Sequence, residues 1–413
     1  MQCEFATFET QVISHSDMES SSAEKREASS MIDDNPLVSV VVPAFNAANT
    51  IAETLHSVSR QTYRALEIVV VDDGSTDATA EIARRHGDPR LRVIAKVNGG
   101  VASARNAGIR ESNGTFVAFI DADDLWHPTK IAKQLPVLIA GGPEMALVYA
   151  PFRLIDRDGR VLASPHKYGV NGWVIHRHFY SNLVGNGSAL LVRRSVLEEF
   201  GGFDTSLLQQ GAEGCEDLLL QLRIAARYRF GEVSEYLVGY RRLPDNMSSN
   251  TDQMIRSGML AVSTALSECR HIPGLSADSM LRRYEWQRIR TRIRDGYWRD
   301  SLRTLVRQMT ASPDFVAGAL WSEITTLAGK ANRFVDRTWR GSGPVPHFHD
   351  LDPMDGIDLH HDTATSRALR RLKKLDHTYR PQPSGPQARA ASAEPLEMFE
   401  PRDLSCSCTY QKG

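Results

Sequence analysis

Cysteine is scarce in this chain. Cys3, Cys215, Cys269, Cys406 and Cys408 are scattered over 413 residues. An odd number at such spacings builds no disulfide framework and favours a reducing compartment, the cytoplasm. Cys406 and Cys408 form a C-x-C pair in a polar tail without further cysteine partners, so no structural metal is expected there. Long apolar runs are missing as well. None approaches the ~20 residues of a spanning helix, and the longest mild stretch, 315–327, carries Glu323. The opening residues include Glu4 and Glu9 and show no basic segment followed by an apolar one, so no secretory signal is expected. Any membrane association is therefore expected to be peripheral, on the cytoplasmic face. Nor is there an excess of one charge: 49 Lys+Arg oppose 50 Asp+Glu, for a net −1. Nothing global attracts nucleic acid. What remains is an ordinary globular composition, 41% hydrophobic and 24% charged, with enough length for about two or three domains.

Composition divides the chain. Residues 1–35 are rich in Ser, Glu and Asp with little apolar periodicity and read as a disordered arm. From 36 to about 250, short β-branched runs alternate with helical patterns, the signature of an α/β domain with a mainly parallel sheet. A nucleotide-binding half to about 135 and an acceptor half from 136 are expected within it. Residues 251–335 show helical patterning and no strand-like run, so they read as a small helical appendage. Residues 336–413 are proline-broken and polar. They read as a mostly disordered tail with one short basic helix near 365–375, in which His347, His349, His360 and His361 either collect a transition metal or, as expected of a proline-broken tail, are solvated.

The first half carries three acidic or glycine-rich strand ends. Val38–Val42 is a buried strand by length and β-branching, closed by Pro43. Thr50-Ile51-Ala52-Glu53 fits a capping box, and Ile51, Leu55 and Val58 form a helical stripe. A second strand, Glu67–Val71, runs into Asp72-Asp73-Gly74-Ser75-Thr76-Asp77. Carboxylates at a strand's carboxyl end either meet a ligand's ring N–H or ribose hydroxyls, or serve as turn and capping groups. Leu91–Ile94 leads to Asn98-Gly99-Gly100 and a helix bearing Arg105. That arginine either pairs with a diphosphate or forms an intradomain ion pair. A further strand, Thr115–Ile120, ends in Asp121-Ala122-Asp123-Asp124. Alternate side chains of an extended segment point the same way, so Asp121 and Asp123 can converge, and such carboxylates repel unless a cation sits between them. Mg²⁺ or Mn²⁺ shared with phosphates and water suits such a site. The alternative is an acidic helix entry, with Pro128 in the first turn of the next helix.

In the second half, Ser188–Val192 reads as a strand and Arg194–Phe200 as a helix stopped by Gly201-Gly202. Glu216-Asp217 opens an apolar helix. A carboxylate there either accepts a proton from a hydroxyl or caps the helix. Between Leu281 and Gln308 nine arginines oppose three acids with aromatics interleaved, and Gly296 is expected to divide two helices. This region is read either as a basic helical hairpin packed on the domain or as a contact for anionic head groups.

The ordered series V-S-V-V-V-P-A-F-N (38–46), V-D-D-G-S-T-D (71–77), N-G-G-V-A-S-A-R-N-A-G (98–108) and F-I-D-A-D-D (119–124) resembles the family 2 inverting glycosyltransferases of GT-A fold. The likeness extends to G-G-F-D (201–204), E-D-L-L-L-Q-L-R (216–223) and Y-R-R (240–242). The resemblance implies a Rossmann-like GT-A domain that moves a sugar from a nucleoside diphosphate, most often UDP, to a hydroxyl in glycan or polysaccharide synthesis. Pro43, Phe45 and Asp72 would then line base and ribose. Asn98, Gly99 and Arg105 would border pyrophosphate and sugar. Asp121 would contact ribose or sugar, Asp123 would hold Mn²⁺ or Mg²⁺, and Asp217 would be the catalytic base. Glycan or lipid-linked acceptors are expected. Gly211–Cys215 and Leu218-Leu219-Leu220, where an aromatic is usual after the E-D pair, depart from the pattern and leave the acceptor open. An idle sugar-nucleotide or glycan-binding protein on the same fold would have lost an acid at 121, 123 or 217, and all three are present. A nucleotidyltransferase would place glycine, arginine and lysine after the first strand, where Ala44–Ala48 stands.

Overall fold

A computed structural model describes residues 35–165, 169–244, 246–294, 296–311, 313, 316–317, 345–354 and 364–379. All but the last residue of the expected arm, together with His360, His361, Cys406 and Cys408, lies outside them. The first half runs β1 (Val38–Ala44), α1 (Ile51–Ser59), β2 (Leu66–Asp72), α2 (Thr79–Arg84), β3 (Leu91–Ala95), α3 (Val101–Glu111) and β4 (Phe116–Phe119). Every residue of β1, β2 and β4 is buried, as parallel strands covered on both faces require. Val41 pairs with Val69 on one side and Phe119 on the other. Against this layer α1 buries Ile51, Leu55 and Val58. Helix α3 comes so close that a Cβ on Gly108 would stand 2.3 Å from Val41 Cγ1, so only glycine fits that contact.

Two local expectations are corrected here. Strand β1 does not stop at Pro43: it pairs with β2 as far as Ala44. Its pairing with β4 ends at Val41, and the missing Pro43 N–H points to the side where β4 has already finished, so no ladder bond is lost. The Thr50–Glu53 capping box does not form either. Thr50 makes no side-chain cap, and Glu53 instead meets Arg241 Nη2 at 2.6 Å.

The second half contributes β5 (Leu125–Trp126), α4 (Lys130–Ala140), β6 (Met145–Tyr149), β7 (Phe152–Ile155), β8 (Val161–Ala163), α5 (Ile175–Tyr180), β9 (Leu191–Arg193), α6 (Arg194–Glu199), α7 (Ser206–Gln209), α8 (Glu216–Ala225), β10 (Arg229–Glu232) and β11 (Val238–Arg241). Pro128 precedes the α4 cap residue Thr129 rather than sitting in the first turn, because His127 N–H is held by Leu237 O. Gly201 and Gly202 stop α6 at φ +73° and +79°. Among the described residues one sheet has the order β10-β6-β9-β4-β1-β2-β3 and a second the order β5-β11-β7-β8. The first is parallel except where β9 pairs antiparallel to β4 and β6, so the α/β class with a mainly parallel sheet stands. Strand order reverses direction at β1, and the carboxyl ends of β1, β2 and β4 open on one crevice, the place where such sheets take ligands.

Helices α9 (Thr251–Glu268), α10 (Asp278–Arg294) and α11 (Trp298–Ala311) follow, the last two separated at Gly296 as expected. Two segments of the region expected to be a largely disordered tail pack on the domain. Phe348 is buried with Leu125 and Ile155, and α12 (Ala364–Thr378) buries Leu369 and Asp376.

Candidate functional site

A cleft of about 1060 Å³ lies at the carboxyl edge of the main sheet, large enough for a drug-sized ligand and more. One wall is built from the end of β1. Pro43, Phe45 and Asn46 line it, and Phe45 offers an aromatic side chain that is 51% exposed. The D-D-G-S-T-D turn stitches this loop in place. Ser75 Oγ accepts from Asn46 N–H at 3.0 Å, Thr79 Oγ1 from Ala47 N–H at 2.7 Å and Asp77 Oδ2 from Ala48 N–H at 3.1 Å. Of the two leading acids, Asp73 and not Asp72 lines the cleft. Asp72 turns back to accept from Ser75 N–H at 3.1 Å, while Asp73 holds Lys96 Nζ at 2.5 Å and Gly99 N–H at 3.1 Å. In the same way Asn98 and Gly100 line the cleft and Gly99 does not. Glu213, from the loop before α8, accepts from Val101 N–H at 3.1 Å and covers the start of α3.

The floor is the D-A-D-D segment. Asp121 and Asp123 line the cleft, and Asp124 is fully buried beneath them. Asp124 accepts from Ser188 Oγ at 2.6 Å and Arg241 N–H at 2.9 Å, so the third acid of the motif anchors the loop. Arg241, itself fully buried, donates to the Asp123 carbonyl at 2.6 Å, to Asp156 O at 3.1 Å and to Arg157 O. Asn246 Nδ2 reaches the Asp123 carboxylate at 2.8 Å. Burial pushes the Asp123 carboxyl up to about 6, and the neighbouring Asp121 charge adds to it. Burial also drives Asp124 well above the carboxylate range, with Asp123 and Asp121 adding. The floor thus gathers three carboxyl groups beside the guanidiniums of Arg105 and Arg241.

The opposite wall begins at α8. Asp217 lines the cleft and accepts from Leu218 N–H at 2.8 Å. Burial raises its carboxyl, opposed chiefly by Arg105. Glu216, buried and held by Gly214 N–H at 2.9 Å, is pushed up to about 7 by the same burial. Arg105 links floor and wall. Its Nη2 meets Asp121 at 2.6 Å, its guanidinium lies over the Phe203 ring at 5.2 Å, and a Cβ on Gly187 would stand 2.8 Å from Nη2. The intradomain ion pair is therefore formed, in the cleft lining. Tyr284 and Gln287 of α10 complete the wall beyond Asp217.

Several of these residues escaped sequence reasoning. Asp73 was paired with Asp72 in one motif, and only the turn geometry separates them. Arg241 stood inside Y-R-R without a role. Tyr284 and Gln287 lie in a region that reads as a separate appendage, and no local signal links them to the cleft.

Residues 39–201 match the family described as glycosyl transferase family 2. An uncharacterized glycosyltransferase of Rickettsia prowazekii (strain Madrid E) is 34% identical over 176 residues, 42% of this chain and 55% of that protein. Chondroitin synthase of Pasteurella multocida (strain Pm70) is 35% identical over 135 residues, 32% of this chain and 14% of that one. A solved mannosyltransferase from Pyrobaculum calidifontis, in complex with GDP-Man and Mn²⁺, is similar at a TM-score of 0.49 and 19% identity, over 79% of this chain and 97% of that chain. The chain spans about half the length of the Rickettsia relative. The match over residues 39–201 takes in β1 to β4 and the D-A-D-D floor, so the likeness to glycosyl transferase family 2 falls on the residues that build the cleft.

Proposed function

We propose that this protein transfers a sugar from a nucleoside-diphosphate donor, a UDP-sugar, to a hydroxyl acceptor in glycan or polysaccharide synthesis, with inversion at the anomeric carbon. The observation that carries the reading is that Asp121, Asp123 and Asp217 face one cleft, with the Arg105 charge between them. Exposed Phe45, on the wall of the cleft, suits the base. The acid-rich floor fits a hard divalent cation, Mn²⁺ or Mg²⁺, held by Asp123. Such ions take one or two carboxylates and complete their shell with phosphates and water. When bound, such a cation supplies neutralising charge to the departing diphosphate.

The chain's own groups account for the remainder. Asp217 accepts the proton of the acceptor hydroxyl as that oxygen bonds to the anomeric carbon. The bond from that carbon to the diphosphate oxygen breaks, and the nucleoside diphosphate leaves with its electron pair. Arg105 opposes the rise that burial imposes on Asp217, which favours the ionised form this role needs, and pairs with Asp121. Displacement from the face opposite the leaving group inverts the centre.

A panel of nucleotide sugars with Mn²⁺ or Mg²⁺, scored by release of nucleoside diphosphate, tests the reading. Asp123→Ala is expected to abolish cation-dependent release. Asp217→Asn is expected to lower transfer by about 10²–10⁴-fold while leaving donor binding intact. Absence of both binding and release with every donor sinks the enzyme reading, and full transfer by Asp217→Asn sinks the base assignment.

A further inference from the structure

Helix α11 presents an apolar face that nothing among the described residues covers. Trp298, Leu302, Val306 and Met309 are 58%, 53%, 53% and 50% exposed. At 3.6 residues per turn these four fall within an arc of about 80°. The helix seats its other side, where Ser301 is buried. The stripe continues across the junction of α10 and α11, where Tyr297 of the turn is 63% exposed and Ile293 at the end of α10 is 50% exposed. A run of large side chains left in water on one helix face marks an interaction surface.

The charges around this stripe select its occupant. Exposed Arg290, Arg292 and Arg294 close α10, and exposed Arg299 and Arg303 flank the stripe on α11. Arg299 lies over the Trp298 ring at 5.1 Å. In the sequence between 281 and 308 nine arginines oppose Glu285, Asp295 and Asp300. An apolar stripe bordered by arginines, with Trp and Tyr at its head, matches the boundary between anionic head groups and acyl chains. There the aromatic rings and aliphatic side chains enter the apolar layer and the guanidiniums stay with phosphates. The stripe runs along one face of α11 with arginines beside it, which suits a helix lying in the surface.

We propose that the α10–α11 tip is a docking surface for an anionic lipid bilayer. The occupant is the lipid surface itself, bound by insertion of the Trp298–Met309 stripe and held by the surrounding arginines. Helix α10 also carries Tyr284 and Gln287 into the cleft, and Gln287 lies six positions and about 9 Å of helix from Ile293. Docking by the tip therefore brings the Asp217 side of the cleft close to the bilayer.

The test is sedimentation of the full chain with vesicles of phosphatidylcholine alone and with added phosphatidylglycerol, read without any sugar donor and so independent of transfer activity. Binding is expected on the anionic vesicles, weakening as salt rises. Leu302→Glu with Val306→Glu should reduce it at least about tenfold, since apolar burial at the interface is lost. Arg292→Glu with Arg299→Glu should reduce it on anionic vesicles with an unchanged circular dichroism spectrum and unfolding midpoint. Failure to bind either vesicle overturns the proposal, as does binding that both double variants retain. If the chain instead forms a dimer in light scattering that Leu302→Glu with Val306→Glu dissolves, and leaves vesicles free, the stripe is an interface between copies and the lipid assignment is wrong.

Discussion

Arg105 and Arg241 do different work with the same guanidinium. Arg105 sits between Asp121 and Asp217, where its charge opposes the rise that burial imposes on Asp217. A base must be deprotonated, so activity falls as pH drops through the carboxyl's pKa. Because burial raises Asp217, the acidic limb of kcat/KM is expected above the ordinary carboxylate range. Arg105→Met removes the opposing charge and should move that limb to still higher pH, while Arg105→Lys should move it less. A pH–rate profile whose acidic limb is the same in all three proteins would show that Asp217 is not the titrating base. Arg241 acts on the backbone instead, with bonds to the carbonyls of Asp123, Asp156 and Arg157. Lysine lacks the fork that reaches several acceptors at once. Arg241→Lys is expected to cost about 2–4 kcal/mol of stability through carbonyls left unpaired and to raise the cation concentration needed for release. Urea unfolding and a Mn²⁺ titration check the two effects separately.

At the scale of elements, the main sheet is tied at its amino edge by one carboxylate. Glu67 of β2 accepts from Ser39 Oγ of β1 at 2.6 Å, Arg92 Nη1 of β3 at 2.7 Å and Gly114 N–H before β4 at 3.1 Å. Burial alone would raise Glu67, but the bonds from Ser39, from the Asn113 N–H and from Arg92, with the Arg92 charge, outweigh it and bring it down to about 2. The folded value lies below the unfolded one, so the stabilisation is complete above about pH 4.5 and is lost as pH falls toward 2. Linkage sets it at no more than about 3 kcal/mol. Glu67→Gln should therefore lower stability near neutrality and lose its penalty in acid. Unfolding curves that differ equally at about pH 7 and about pH 3 would refute this ion network as the cause. The strands tied by Glu67 were legible in the sequence because short apolar runs mark them, Ile68–Val71 with four consecutive β-branched residues the most plainly. The second sheet was not. Strand β5 has two residues, and β11 pairs with β7 from a distance of more than eighty positions, which no local pattern encodes. The failed capping box has the same origin: Glu53 is taken by Arg241, 188 positions away. The acids at 121, 123 and 217 were legible because motifs flag them, whereas Asp124, Asn246 and Tyr284 acquire their roles only when distant elements pack.

The whole molecule is closed by its last described helix. Asp376 of α12 is fully buried and accepts from Arg177 Nε at 2.5 Å and from His176 N–H at 2.8 Å. The His176 ring lies between two acceptors, Asp376 Oδ1 at 3.0 Å from Nδ1 and Pro273 O at 3.0 Å from Nε2. A neutral imidazole carries one N–H and satisfies one of them; the imidazolium satisfies both. Burial lowers the His176 pKa, but the bonds to Asp376 and Pro273 outweigh it and the net direction is upward. The folded value thus exceeds the unfolded one. The stabilisation from this histidine is complete below about pH 6.5 and fades as pH rises through the folded value. Asp376→Asn keeps the shape and removes the charge, leaving Arg177 buried without its counterion, at a cost of about 3 kcal/mol. That part of the penalty is independent of pH, since arginine stays charged. The histidine part is not, so the variant should lose more stability at about pH 6 than at about pH 8.5. Urea unfolding of both proteins at the two pH values measures the difference. A penalty equal at both would mean that His176 is neutral in the folded chain and that Arg177 alone fastens α12 to α5. A larger penalty in the alkaline solution would reverse the sign and reject the ion pair altogether.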